Sequence, residues 1–208
     1  MRTIITYMKI IILFLLSILC GLGVSQNYTT WLVDNNYILP NVSYEQVEID
    51  GQIIIYEDGV TQEDINKCIE VLNKSVAYDR DAIIVLTTSS CEIYHSHLDR
   101  DYQYEKEWVI GGYTVIGAGP NNENIIIQPA RWIETVLLHE IGHSVDTKYH
   151  LSQNEQFLEI YSKVEPTCPD DSSNTEYFAS SYSNWIRDRL EDEELIAWFE
   201  AVFSSSIL

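Results

Sequence analysis

Val136-Leu137-Leu138-His139-Glu140-Ile141-Gly142-His143-Ser144-Val145-Asp146 is the stretch from which the rest of the chain is best read. It lies within the strongest helical signal of the sequence, Trp132 to about Tyr149. Histidines at i and i+4 of a helix project from one face, one turn apart, so two imidazoles can share a Zn²⁺ ion. Glu140 sits roughly 100° round the helix from His139. It is badly placed to join a tetrahedral ligand set and well placed to reach a water on the metal. Zinc acidifies such a water, and a neighbouring carboxylate can take its proton as the oxygen attacks a polarised carbonyl. The bland alternative is an amphipathic helix with two surface histidines. The apolar lead-in and Asp146 weigh against it. Asp146 returns to the His139 face at i+7, where it can accept the outer N–H of a ligating imidazole.

A third ligand would decide the class of such a site. The His-x-x-Gly-x-x-His extension of metzincins is absent, since positions 146 and 149 are Asp and Tyr. A glutamate about twenty residues on would fall near Lys163, and Glu159 and Glu165 only straddle that place. Glu176, in Asn174-Thr175-Glu176-Tyr177-Phe178-Ala179 at the start of a long helical run, is the better candidate.

Upstream, Val47 to Glu57 reads as strand, with Asp50-Gly51 as a turn or bulge. Thr61-Gln62-Glu63-Asp64 reads as a capping box before Ile65, Cys68, Ile69 and Leu72 at helical spacing. Ala82 to Thr88 reads as a buried strand, which makes a β-α-β start. Val109 to Ile116 and Ile125 to Gln128 read as two further strands around Gly117-Ala118-Gly119-Pro120-Asn121. Another strand follows that glycine pair rather than a helix, so a dinucleotide-binding reading fails. Residues 26–45 read as an extended arm. Beyond Pro129 the signal is helical: 132–149, 153–165, 174–190 and 193–203. The expected class is α+β, with a β-rich lobe over about 26–129 and a helical lobe over 130–208.

These motifs together resemble the anthrax lethal factor protease-domain family, which includes small secreted Pro-Pro endopeptidases. That family pairs a helical H-E-x-x-H-x-[VI]-D with a downstream E-[FY]-F-A helix. Val145-Asp146 and Glu176-Tyr177-Phe178-Ala179 fill both patterns over roughly residues 108–190. The resemblance implies a zincin-like fold and a single zinc ion held by His139, His143 and Glu176, with Glu140 as general base. It also implies that Gly111, Gly112 and Tyr113 belong to an edge strand that holds the substrate extended. Paired glycines let another backbone approach, which suits binding by strand addition. The chain departs from the family at two positions. Pro169 stands where relatives carry the tyrosine that bonds the tetrahedral oxyanion, leaving Tyr161, Tyr177 and Tyr182 as candidates for that role. Ser180 stands where relatives carry an acidic residue, which implies a lost contact behind a ligand. Losing one oxyanion contact costs ~10²–10³ in rate. The expected function is therefore a secreted, monomeric zinc endopeptidase acting on a protein or peptide substrate. The alternative is a weak or inactive zinc-binding module that recognises a protein partner through the same edge.

Composition sets the outer bounds. The 208 residues are 46% hydrophobic and 12% aromatic, enough for a sizeable core. Twelve Lys+Arg stand against 32 Asp+Glu, for a formal charge of −20, which repels phosphate backbones and excludes nucleic acid as a partner. Residues 1–25 have the order of a secretory leader: Arg2 and Lys9, an apolar run from Ile10 to Leu19, then small residues, with cleavage after Gly23 or Ser25. The run is shorter than the ~20 residues of a bilayer span, so no membrane association is expected once it is removed. The mature chain, 26–208, is then one metalloprotease domain with a formal charge of −22, which favours basic or neutral substrates. Export permits disulfides, and a Cys68–Cys91 bridge is conceivable, although Cys68 on a helical apolar stripe reads as core. His95-Ser96-His97 reads as a polar loop near the cleft. Asn27, Asn41 and Asn73 begin glycosylation sequons.

Overall fold

The computed structural model describes residues 29–34, 42–80, 82–88, 112–116, 123–127, 133–165 and 173–204. The chain divides into two compact units, residues 1–41 and Val42–Leu208. In the first, residues 29–34 form a short helix, α1, where the sequence reading expects an extended arm. The leader expected at residues 1–25 lies outside the described residues, as do Gly111, Cys91, Cys168, His95, His97, Pro169 and the 117–121 turn. Among the described residues no helix is long and apolar enough to cross a membrane.

The second unit is a mixed α+β body. Its sheet begins with a hairpin, β1 (Tyr44–Ile49) and β2 (Gln52–Glu57), paired antiparallel from Tyr44↔Glu57 to Ile49↔Gln52. Asp50 and Gly51 both take positive φ, 51° and 82°. A two-residue turn of this hand matches the twist of its strands, so one continuous strand becomes two. Helix α2 (Gln62–Lys74) starts at the expected capping box: Asp64 N–H donates to Thr61 Oγ1 and Thr61 N–H donates to Asp64 Oδ2. Its stripe of Ile65, Cys68, Val71 and Leu72 is buried and returns the chain to β3 (Ile83–Leu86), parallel to β2. All four β3 residues are buried, as befits a central parallel strand of β-branched and aliphatic residues. Strand β5 (Glu123–Ile127) lies parallel to β3, and β4 (Gly112–Ile116) pairs antiparallel to β5. The resulting order, β1-β2-β3-β5-β4, leaves β4 on an edge.

Five residues carry the transition to helix. Helix α3 (Ile133–Tyr149) buries Ile133, Leu137, Leu138, Ile141 and Val145 between the sheet and α2 on one side and α5 (Asn174–Ile186) on the other. The chain then turns at His150, whose φ of 55° is left-handed. The expected helix over 153–165 is shorter: a 3₁₀ turn, Leu151–Gln153, precedes α4 (Glu155–Tyr161). Asn154 sets the later start, because its side chain caps Gln156 and Phe157 N–H, and the helix stops at Tyr161 with Ser162 as its C-cap. Helix α6 (Glu193–Ser204) buries Leu195, Trp198 and Phe199, and the last two set their rings against Phe157 and Phe178.

Cys68 is a free, fully buried thiol, pushed up to about 12 by burial, so the Cys68–Cys91 bridge is not formed. Tyr182 is equally committed to the interior. It is 0% exposed, donates through its hydroxyl to Val76 O at 2.7 Å and accepts from Val76 N–H at 2.9 Å. These two bonds tie α5 to the chain leaving α2. Tyr182→Phe leaves both Val76 groups without their partner, and urea unfolding should show a loss of about 1–3 kcal/mol.

Candidate metal centre

The close crossing of α3 and α5 begins with a missing side chain. A Cβ on Gly142 would meet Ala179 Cα at 2.8 Å and Ala179 O at 3.1 Å, so only glycine lets the two helices approach this far. The crossing sets the His139 and His143 side of α3 against the first turn of α5. That turn is fixed in its own right: Ser173 Oγ accepts from Glu176 N–H at 3.1 Å, and Asn174 Nδ2 donates to Ser152 O at 2.9 Å. Glu176 therefore stands at the third position of a capped helix, where the exposed amide dipoles favour a negative charge.

Three donor atoms meet there. His143 Nε2 lies 3.1 Å from His139 Nε2, and Glu176 Oε2 lies 3.2 Å from His139 Nε2 and 3.4 Å from His143 Nε2. Ligands on a tetrahedral metal at about 2.0–2.2 Å stand about 3.3–3.6 Å apart, and the three separations lie in or about 0.2 Å below that range, so small adjustments fit the set to a first-row divalent ion. Among the described residues it is the only group of three His, Cys, Asp or Glu side chains arranged to hold one. The imidazoles are 17% exposed and Glu176 36%, so the cluster opens to solvent on the α5 side. Burial works to raise the Glu176 carboxyl, but its bonds to His139 and His143 outweigh it and hold the group below its usual range.

Ser180 Oγ lies 3.0 Å from His139 Nδ1. With Nδ1–H donated to Ser180, the Nε2 lone pair faces the other two donors. The contact expected to be lost at this position is therefore made, by a hydroxyl. Asp146 behaves in the opposite way. Its carboxylate Oδ1 accepts from Ser152 N–H at 2.6 Å, satisfying the buried 3₁₀ turn rather than an imidazole N–H. One turn beyond His143, a side chain this short meets the reversing chain before it meets a ring.

Glu140 points elsewhere than the ligands, as its position round the helix demands. It is 5% exposed, and its carboxylate Oε2 accepts from Thr114 Oγ1 at 2.8 Å. Burial raises its pKa, opposed by the nearby His139 and His143 and by the Thr114 hydrogen bond. Thr114 belongs to edge strand β4, as do Gly112 and Tyr113. The sequence reading passed over this threonine. Its only signal was its place two residues beyond Gly112, on the same face of the strand. Of the tyrosines considered as oxyanion donors, Tyr182 is excluded by its commitment to Val76. Tyr177 follows Glu176 directly, and its ring lies 5.5 Å from that of Tyr161.

No protein-family model matches the chain, and a search of curated proteins finds no match.

Two substitutions test this geometry through zinc affinity, read by competition with a chromophoric chelator. Gly142→Ala forces α5 outward and should weaken binding sharply while lowering stability by about 1–3 kcal/mol. Ser180→Ala should weaken binding by about 10–100-fold with the fold intact. Wild-type affinity in both would show that neither the crossing nor the hydroxyl sets the site.

Proposed function

We propose that the protein is a zincin-like zinc endopeptidase, exported from the cell, that hydrolyses peptide bonds in a segment bound as an added strand on β4. The observation that carries this reading is the convergence of His139 Nε2, His143 Nε2 and Glu176 Oε2 within 3.4 Å. It is supported by the buried carboxylate of Glu140 beside them and by β4, an edge strand among the described residues, whose Thr114 bonds that carboxylate. The resemblance to the lethal factor protease family names the same residues for the same roles.

Zinc held by these three side chains would acidify a water and polarise the scissile carbonyl. The remaining work falls to the chain. Glu140 Oε2 is engaged by Thr114, which leaves Oε1 to take the proton from the attacking water and pass it to the departing amine. Burial raises the proton affinity of that carboxylate, which suits a base that must also return the proton. Strand β4 supplies backbone groups along its outer edge, so recognition rests on main-chain bonding with side-chain selection superposed. Glu176 and the imidazoles are spent on the metal, so oxyanion stabilisation falls to a group such as Tyr161 or Tyr177.

One observation favours slow turnover. Tyr182 is locked into the core, and the position where relatives carry the donor tyrosine is Pro169. The test is a peptide library profiled with zinc-loaded wild type and Glu140→Ala. Cleavage by wild type, with loss of at least ~10²-fold in the variant and unchanged zinc content, is the expected result. Bound zinc with no cleavage of any peptide would replace the protease by a partner-binding module.

A further inference from the structure

Thr114 is the one described side chain of β4 that reaches α3 through a hydrogen bond, and its hydroxyl lies close to two oxygens of Glu140. Its hydroxyl oxygen lies 2.8 Å from Glu140 Oε2 and 3.2 Å from Glu140 O. A hydroxyl has a single hydrogen, and the shorter contact to a charged acceptor takes it. We propose that Thr114 is a positioning residue for the reaction: its hydroxyl fixes the Glu140 carboxylate and ties the base to the strand that receives the peptide. The inference rests on the endopeptidase reading for its catalytic half and on hydrogen-bond geometry alone for its structural half.

Glu140 has a flexible side chain and lies almost wholly buried, so its carboxylate needs a fixed donor to hold one orientation. Its helix neighbours His139 and His143 face the metal cluster with Glu176, so they are engaged by other groups. Thr114 lies instead in the sheet, paired with Ile125 of β5, so the donor is anchored by a backbone ladder separate from α3. A peptide added to the outer edge of β4 would be held by that same strand. The scissile bond and the base then share one frame, and small errors in their separation are suppressed. Misplacement by about 1 Å is worth on the order of 10²-fold in rate.

Three full-chain variants test this: Thr114→Val, which keeps shape and removes the hydroxyl; Thr114→Ser, which keeps the hydroxyl; and Thr114→Val combined with Glu140→Ala. On a peptide cleaved by wild type, Thr114→Val should lower kcat on the order of 10–100-fold, with KM within about twofold and zinc content unchanged. Thr114→Ser should recover most of the loss. Unfolding midpoints measured in chelator give a readout independent of metal and turnover. There, Thr114→Val should lower the midpoint of the wild-type chain, and the shift should largely vanish in the Glu140→Ala background. Equal shifts in both backgrounds, or a kcat unchanged by Thr114→Val, would overturn the proposal. So would a Thr114→Ser variant as impaired as Thr114→Val, because the methyl rather than the hydroxyl would then matter. Failure of wild type to cleave any peptide would sink the endopeptidase reading, and the unfolding cycle would then decide by itself whether Thr114 holds the carboxylate.

Discussion

The approach of α3 to α5 at Gly142 and Ala179 is the constraint on which the rest of the site depends. The ligands on α3 are set by helical geometry alone, one turn apart, and no distant contact is needed to align them. The third donor is 33 residues beyond His143 and arrives only if α5 crosses close enough for a short glutamate side chain to reach. A side chain at 142 would push α5 away by more than the tolerance of a metal site. Two anchors keep α5 from sliding along the crossing. The Ser173 cap fixes its first turn, and Tyr182, six residues beyond Glu176, is bonded to both backbone groups of Val76. The aromatic cluster of Phe157, Phe178, Trp198 and Phe199 backs the helix from the other side.

Helix α3 is buried along much of its length, and the polar residues it buries there are put to specific use. Ser144 and Asp146 are both buried, and the Asp146 carboxylate satisfies a main-chain amide of the following turn. Glu140 faces the sheet and receives the Thr114 hydroxyl; His139 and His143 face α5. The sheet and α5 thus each present one polar patch to the same helix. Glu140 and the histidine pair thus leave the helix about a quarter-turn apart, one bonded to the sheet and the other set against α5.

The parts of this arrangement that were legible in the sequence are those governed by local rules. The histidine pair follows from the period of a helix. The α2 start follows from capping chemistry at Thr61, whereas Asp50-Gly51 left a turn and a bulge equally open until the positive φ of both residues made it a hairpin. Elements fixed by tertiary context were not legible. The division of the 151–161 segment depends on a left-handed His150 and the Asn154 cap, neither of which disturbs the apolar spacing. Asp146 was on the right face, but the competing demand of the Ser152 amide could not be seen before the chain was folded back. Ser180 was read by what it lacked, a carboxylate, although a hydroxyl suffices to orient His139. Thr114 required knowing that β4 passes over α3, a matter of strand order.

The energetics point the same way as the geometry. A buried carboxylate, two partly buried imidazoles and a second carboxylate crowded within a few ångströms make a poor stabilising element, since desolvation of such groups tends to match or exceed their mutual attraction. Apolar residues at positions 139, 140, 143 and 176 would pack the same crossing with less cost. The sequence elsewhere obeys that logic: β3 is wholly aliphatic and the α2 stripe is apolar apart from one inert thiol. Buried polar groups occur elsewhere too, as at Gln52, which donates to Ala82 O, and Glu57, which accepts from Thr88 N–H. A cation shared by the three donors removes the mutual repulsion of their lone pairs and converts the arrangement from a liability into a closed set. The polar residues of α3 are then best understood as the part of the chain where stability yields to chemistry.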